Sequence, residues 1–256
     1  MRIKTPDDID RLRIAGRHLA QVLHAVERAV APGVTLKELN DIAEREIRAR
    51  GDIPAFLGYR PSSAPKAFPA TLCVALNDVV VHGIPTKDDA VLREGDILGI
   101  DTGLVHEEMI VDSGRTVPVG KIDRTAQELI AVTHEALMIG IDAARPGNTV
   151  GDIGHAIETY VKKVSTFGIV EHLCGHGVGH KVHEEPQIPN YGRAGTGATL
   201  VPGMVLAIEP MLNEGSKDVI FERDGYTVRT SDGTRSAHFE HTIVVTEHGP
   251  EILTEV

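Results

Sequence analysis

"PGVTLKELNDIAEREI", residues 32–47, has a counterpart later in the chain in "PGNTVGDIGHAIETYV", residues 146–161. Pro32, Gly33, Thr35 and Glu44 are identical to Pro146, Gly147, Thr149 and Glu158. The apolar positions Leu36, Leu39, Ala43 and Ile47 are matched by Val150, Ile153, Ile157 and Val161. Both sets recur at the spacing of one helix face, and a threonine stands ahead of each as an N-cap. Each copy also follows a longer helical pattern, "DIDRLRIAGRHLAQVLHAVERAV" before the first and "DRTAQELIAVTHEALMIGIDAA" before the second.

The repetition continues beyond the helices. "LCVALNDVVVHGIP" (72–85) and "LCGHGVGHKVHEEP" (173–186) share Leu72/Leu173, Cys73/Cys174, Val81/Val182, His82/His183 and Pro85/Pro186. "GDILGID" (95–101) matches "GMVLAIE" (203–209), which sets Asp101 opposite Glu209. The weaker pair "MIVD" and "AHFE" sets Asp112 opposite Glu240. Four matches in one order predict two similar halves, about 8–120 and 122–250. Each is two helices followed by antiparallel strands, and together they make one α+β domain over residues 1–256. Length alone would have suggested two independent domains.

The chain has 256 residues, 41% of them hydrophobic, enough for one large core or two small ones. Its net charge is -11 and it has no Lys/Arg-rich run, which argues against nucleic acid as the primary ligand. Two cysteines make no disulfide framework and point to a reducing compartment. The N-terminal "MRIKTPDDIDRLRIAG" lacks the apolar core of a signal peptide, and no apolar run approaches the ~18 residues of a membrane span. A soluble, cytoplasmic protein with no membrane contact is the expectation, and a monomer.

Asp101 ends the apolar run "ILGID" and Glu209 ends "VLAIE"; Asp112 follows "MIV" and Glu240 lies in "AHFEHTIVV". Carboxylates at the inner ends of apolar strands are expected to be buried. A buried, unpaired carboxylate costs several kcal/mol or stays protonated. Nearby bases such as Arg115 and Arg229 are too few to pair four acids. Two divalent ions held by shared carboxylates would balance the charge, and the repeat supplies two half-sites. Each acid alone reads as a strand-end or turn residue; four at matched positions do not.

"HLCGHGVGHKVHEEP" (172–186) carries four histidines, but not the His-Glu-x-x-His helix of zinc proteases. Its glycines Gly175, Gly177 and Gly179 make it loop or strand. His82 and His183 occupy equivalent places in the two halves. His176 faces Ala75 in the repeat, so it could serve one metal only. His106, His172 and His180 read as polar loop residues, and Cys73 and Cys174 as small apolar neighbours of the site. An oxygen-rich set with one imidazole suits Mn, Fe, Co or Zn.

"NDVVVHGIP", "GDILGIDTG", "CGHGVGHKVHEEP", "AIEPM" and "HFEHTIVVT" resemble the signature blocks of the type I methionine aminopeptidases, in order and over nearly the whole chain. The resemblance is to the short bacterial form, with neither an N-terminal zinc-binding extension nor a long insertion in the second half. It implies the pita-bread (creatinase/aminopeptidase) fold, its two pseudo-symmetric halves set around a central sheet. It implies a hydrolase that removes the N-terminal methionine of nascent proteins and peptides, preferentially before a small second residue. Two divalent ions (Co, Mn, Fe or Zn) are implied, with Asp101 on one, His176 and Glu209 on the other, and Asp112 and Glu240 bridging. His82 and His183 would handle substrate, and Glu209 would shuttle the proton.

The implied partners are nascent polypeptides, with the ribosome a candidate. Tyr59, Phe68, Cys73 and Tyr226 are the candidate walls of a methionine pocket. Gly99 and Tyr226 depart from the Asn and Trp common in bacterial relatives. "GLVHEEMIVDSG" lacks the usual Gly-aromatic turn before Asp112, and "YRPSSAPKAFPATLC" (59–73) is a long loop. The competing readings are an aminopeptidase P or prolidase of the same fold, and a metal-free binding module that keeps the fold alone.

Overall fold

The computed structural model describes residues 3–61, 64–87 and 90–255; Met1, Arg2, Ser62, Ser63, Asp88, Asp89 and Val256, among them two residues of the 59–73 loop, lie outside these ranges. Four helices carry the repeat: α1 (Pro6–Ala29), α2 (Leu36–Ala49), α3 (Arg124–Ala143) and α4 (Val150–Val164). Each begins at a polar residue that closes the first turn. The Thr5 hydroxyl accepts from the Asp8 N–H, and Asp8 accepts from the Thr5 N–H, with Pro6 in the first turn. Thr35 and Glu38 repeat this box on α2. On α4 the Asp152 carboxylate accepts from both the N–H and the hydroxyl of Thr149. The two predicted threonine caps therefore stand at 35 and 149.

The repeated apolar faces enter two separate cores. Leu36, Leu39, Ala43 and Ile47 join Leu12, Leu19 and Leu23 of α1 in one. Val150, Ile153, Ile157 and Val161 join Leu129, Leu137 and Ile141 of α3 in the other. Both cores rest on one sheet. Its central path runs Cys73–Leu76, Ile97–His106, Met109–Pro118, Glu240–Thr246, Val205–Ile208 and Gly175–Gly177, each strand antiparallel to the next. The order is a palindrome, since the last three strands are the repeats of the first three taken in reverse. Register confirms it: Ala75 lies opposite Gly99, and its repeat partner His176 lies opposite Ala207. The halves meet where Glu240 faces Gly114 and His241 faces Ser113.

One expectation is corrected. Asp101 and Asp112 do not sit at strand ends. Ile97–His106 and Met109–Pro118 form a ten-residue ladder that pairs Asp101 with Gly114 and Gly103 with Asp112. Only Glu209, just past Val205–Ile208, and Glu240, the first residue of its strand, are terminal. The first hairpin is longer because it closes through a two-residue turn, Glu107–Glu108. Both residues have positive φ, 43° and 69°. Two left-handed residues in a two-residue hairpin loop are the signature of a type I′ turn, normally met by Asn-Gly. The missing Gly-aromatic motif thus leaves the hairpin intact. Arg11 Nη1 donates to the Glu107 carbonyl at 3.0 Å and holds the turn from α1.

A non-glycine residue held left-handed costs of order 1 kcal/mol. Both turn side chains are exposed, so little is lost by replacing them. The double substitution Glu107→Asn, Glu108→Gly is expected to stabilise the protein by roughly 1 kcal/mol, read from the urea midpoint at unchanged m-value. A lower midpoint would show that the two glutamates contribute more than their backbone strain removes.

Candidate metal centre

Strand geometry brings the five predicted ligands together. Asp112, His176 and Glu240 are buried, and one ligand atom of each lies within 4.8 Å of the other two. The Asp101 carboxyl is close enough to Asp112 for that carboxylate to raise its pKa further, after burial. Glu209 approaches the group through Oε1, 3.5 Å from His176 Nε2. His176 Nδ1 lies 2.9 Å from the Gly177 carbonyl, an acceptor only. Nδ1 must therefore carry the proton, which leaves the Nε2 lone pair facing the carboxylates. Burial, then His183, lowers the His176 pKa to about 3, so the ring is neutral and free to ligate.

The donor set fits divalent cations. Asp101 Oδ1, Asp112 Oδ1 and Glu240 Oε1 are buried with no hydrogen-bond partner. Among the described residues no Lys or Arg pairs with the four acids; their ion-pair partners are imidazoles, His176 and His238, both on Glu209. Burial pushes the acids up. Asp112 rises to about 7, with Glu209 adding to the effect, and Glu209 rises to about 8. Asp101 and Glu240 are raised by burial first and by the neighbouring carboxylates second. The chain alone would hold such a set partly protonated near neutrality. Cations relieve both burial and repulsion.

His82 and His183 stand beside the acids. His82 has φ 60°, an uncommon backbone state for a residue with a side chain, of the kind that concentrates at functional sites. Burial, then His183 and His238, lowers its pKa to about 4. The His183 ring centroid is 4.4 Å from that of His176, and its Nδ1 is 2.8 Å from the Tyr59 hydroxyl.

A cavity of about 420 Å³ opens next to them, and Tyr59, Phe68, Cys73 and Tyr226 all line it. Phe68 and Tyr226 pack edge to face at 5.1 Å, and the Tyr226 hydroxyl donates to the Lys66 carbonyl at 2.5 Å. Tyr at 226 therefore keeps an aromatic wall. Phe56, Leu173, Val182 and Phe221 add to the apolar lining. Phe56, Leu173 and Val182 are single apolar residues outside strands and helices, and Phe221 ends the short strand Val219–Phe221, so none carries a periodic signal. Burial holds the Cys73 thiol well above its usual pKa, with Asp101 adding to it. That keeps it protonated, as a packing residue should be. A Cβ at Gly99 would sit 2.8 Å from that of Ala75, which accounts for the absence of a side chain there. A second, more polar cavity of about 740 Å³ is lined by Cys174, His176 and Glu184, and His183 borders both.

Three histidines differ from the sequence reading. His180 is only partly exposed, and its Nε2 is buried without a hydrogen-bond partner, 3.7 Å from Asp8 Oδ2 of α1. His106 is not a free loop residue, because Asp52 accepts from its Nδ1 at 2.7 Å. His172 is exposed, as expected. His238 was missed altogether. It is buried, its Nε2 lacks a hydrogen-bond partner, and it reaches Glu209 Oε2 at 3.6 Å. Its place two residues before Glu240 was the one local signal, though the two fall on separate strands, Ser236–His238 and Glu240–Thr246.

The model of metallopeptidase family M24 matches residues 10–247. Methionine aminopeptidase 1 of Bacillus subtilis is 46% identical over 253 residues, spanning 99% of this chain and 98% of its own. The crystal structure of methionine aminopeptidase from Thermotoga maritima matches with TM-score 0.95 and 42% identity, over 100% of both chains. A prolidase from Pyrococcus furiosus, 23% identical with TM-score 0.73 over 99% of this chain and 65% of its own, shares the fold alone. With its acid cluster, its palindromic sheet and this likeness along its whole length, the chain belongs to metallopeptidase family M24, among the methionine aminopeptidases.

Proposed function

We propose that the chain removes the N-terminal methionine from nascent proteins and peptides in the cytoplasm, as one catalytic domain over residues 1–256. The observation that carries this reading is the meeting of the acid cluster with an apolar cavity at His82 and His183. An unbranched thioether side chain suits that cavity, and the remaining peptide can leave along the polar cleft that His183 also borders. The preference for a small second residue rests on the sequence resemblance. A metal-free binding module would gain nothing from carboxylate oxygens buried without partners.

Asp101 would hold one divalent ion, His176 and Glu209 the other, and Asp112 and Glu240 both. When bound, such ions supply Lewis-acid polarisation of the scissile carbonyl and of the attacking water. The side chains do the rest. Glu209, whose Oε1 lies 3.5 Å from His176 Nε2, can take a proton from the water and return it to the departing amine. His82 and His183 place imidazole nitrogens beside the cavity, where each can hydrogen-bond the scissile peptide. Tyr59 fixes the His183 ring through Nδ1. The aromatic wall excludes water from the methionine side.

His183→Ala and His82→Asn, the latter chosen because Asn tolerates the left-handed backbone, are expected to bind metal like the parent. Cleavage of Met-Ala-Ser is expected to fall by about a hundred- to a thousand-fold, the usual cost of one such donor. Loss of metal from His183→Ala would move that residue into the ligand set. Glu240→Gln is expected to weaken both ions, and Asp101→Asn mainly one. Two undisturbed sites in a calorimetric titration of Glu240→Gln would remove its bridging role.

The metal-free protein should also show an inverted pH response. Asp112 near 7 and Glu209 near 8 compare with about 4 in an unfolded chain. The folded state therefore binds more protons than the unfolded one up to about pH 8, and stability falls as these acids ionise. Buried histidines lowered to about 3–4 give the opposite slope, but only below their unfolded value of about 6.5. Between pH 6.5 and 8.5 the stripped protein is thus expected to lose stability, and saturating Mn²⁺ to abolish the slope. A flat urea-midpoint profile without metal would contradict it.

A further inference from the structure

Away from the reaction centre, His18, Asp52 and His106 converge from three elements. His18 is on α1, Asp52 lies in the turn between α2 and the Ile53–Pro54 strand, and His106 ends the strand that carries Asp101. Five residues of extended chain put it about 17 Å from Asp101. Asp52 is buried, with 1% of its side chain exposed. Its oxygens divide between the rings: Oδ2 is 2.8 Å from His18 Nδ1, and Oδ1 is 2.7 Å from His106 Nδ1. The rings stand edge to face with centroids 5.3 Å apart. Among the described residues, Asp52 has no Lys or Arg ion-pair partner.

We propose that His18, Asp52 and His106 form a further divalent-cation site, of zinc class, that fastens α1 to the edge of the sheet. Two imidazoles and a carboxylate are a ligand set suited to zinc and its neighbours in the divalent series. One ligand atom from each residue lies within 4.8 Å of the other two. The histidine side chains are 26% and 17% exposed, which leaves further coordination positions open to water. The Asp52 carboxylate is buried, and a cation held between it and the two ring nitrogens would balance its charge. Tetrahedral ligands at 2.0–2.1 Å stand roughly 3.3 Å apart, so each nitrogen–oxygen contact, now 2.8 Å for His18 and 2.7 Å for His106, would lengthen by about half an ångström. Nothing in the proposed peptide cleavage uses these residues, so the site is structural.

Zinc alone is the probe. In a double variant, Asp112→Asn with Glu240→Gln, the reaction centre loses its bridging acids. Stripped of metal and titrated with zinc against a chromophoric chelator, this protein is expected to take up one ion per chain. Adding His18→Ala or His106→Ala is expected to weaken that ion by roughly 100-fold or more. X-ray absorption should show two imidazoles on the ion retained by the double variant. No zinc uptake, or uptake that survives removal of both histidines, would overturn the site and leave a hydrogen-bonded trio. Should the double variant fold poorly, the comparison moves to the otherwise intact chain. There, His18→Ala with His106→Ala is expected to lower zinc at saturation by one ion per chain, with Met-Ala-Ser cleavage retained. Unchanged zinc would refute the proposal whatever the fate of the peptidase reading.

Discussion

Four carboxylates packed into an apolar sheet are mutually repulsive and poorly hydrated. Asp101, Asp112, Glu209 and Glu240 are each pushed up by burial, three of them further by one another. Unpaired burial of this kind costs several kcal/mol per group against a net stability of only about 5–15 kcal/mol for a whole domain. The surrounding fold is arranged to carry that load. Two independent cores brace the sheet from α1 and α2 on one side of the repeat and α3 and α4 on the other. The neutral His176, with Nδ1 fixed on a carbonyl, offers a donor atom to the cluster without adding charge.

The repeat could be read from the chain because helix periodicity, capping residues and apolar runs are local signals. Thr35 with Glu38 and Thr149 with Asp152 sit at helix starts wherever the fold places them. Strand lengths were harder. Nothing within "ILGID" states that pairing continues to His106, because the continuation depends on a partner strand and on Glu107 and Glu108 accepting positive φ. The acids could be found through symmetry, but their division between ions came from resemblance and not from spacing.

Histidines resisted for a different reason. An imidazole serves equally as ligand, donor, acceptor or filler, and the choice is made by what packs against it from distant parts of the chain. His106 is decided by Asp52, His180 by Asp8 and His238 by Glu209. None of these partners lies within a helical turn or a hairpin of the histidine concerned. The pocket behaves the same way: Tyr59 and Tyr226 are 167 positions apart, yet the Tyr226 hydroxyl reaches the Tyr59 carbonyl at 3.4 Å.

The palindromic sheet joins its halves through a short seam, Glu240 against Gly114 and His241 against Ser113. One half brings Asp101 and Asp112 to it, the other His176, Glu209 and Glu240. Each half is in effect the protomer of an internal heterodimer whose interface is the reaction centre. Neither protomer owns the whole of the proposed ligand set, so the link across 120–122 sets the effective concentration at which they meet. A substitution at the seam would act on assembly and on cation affinity at once, as one coupled equilibrium.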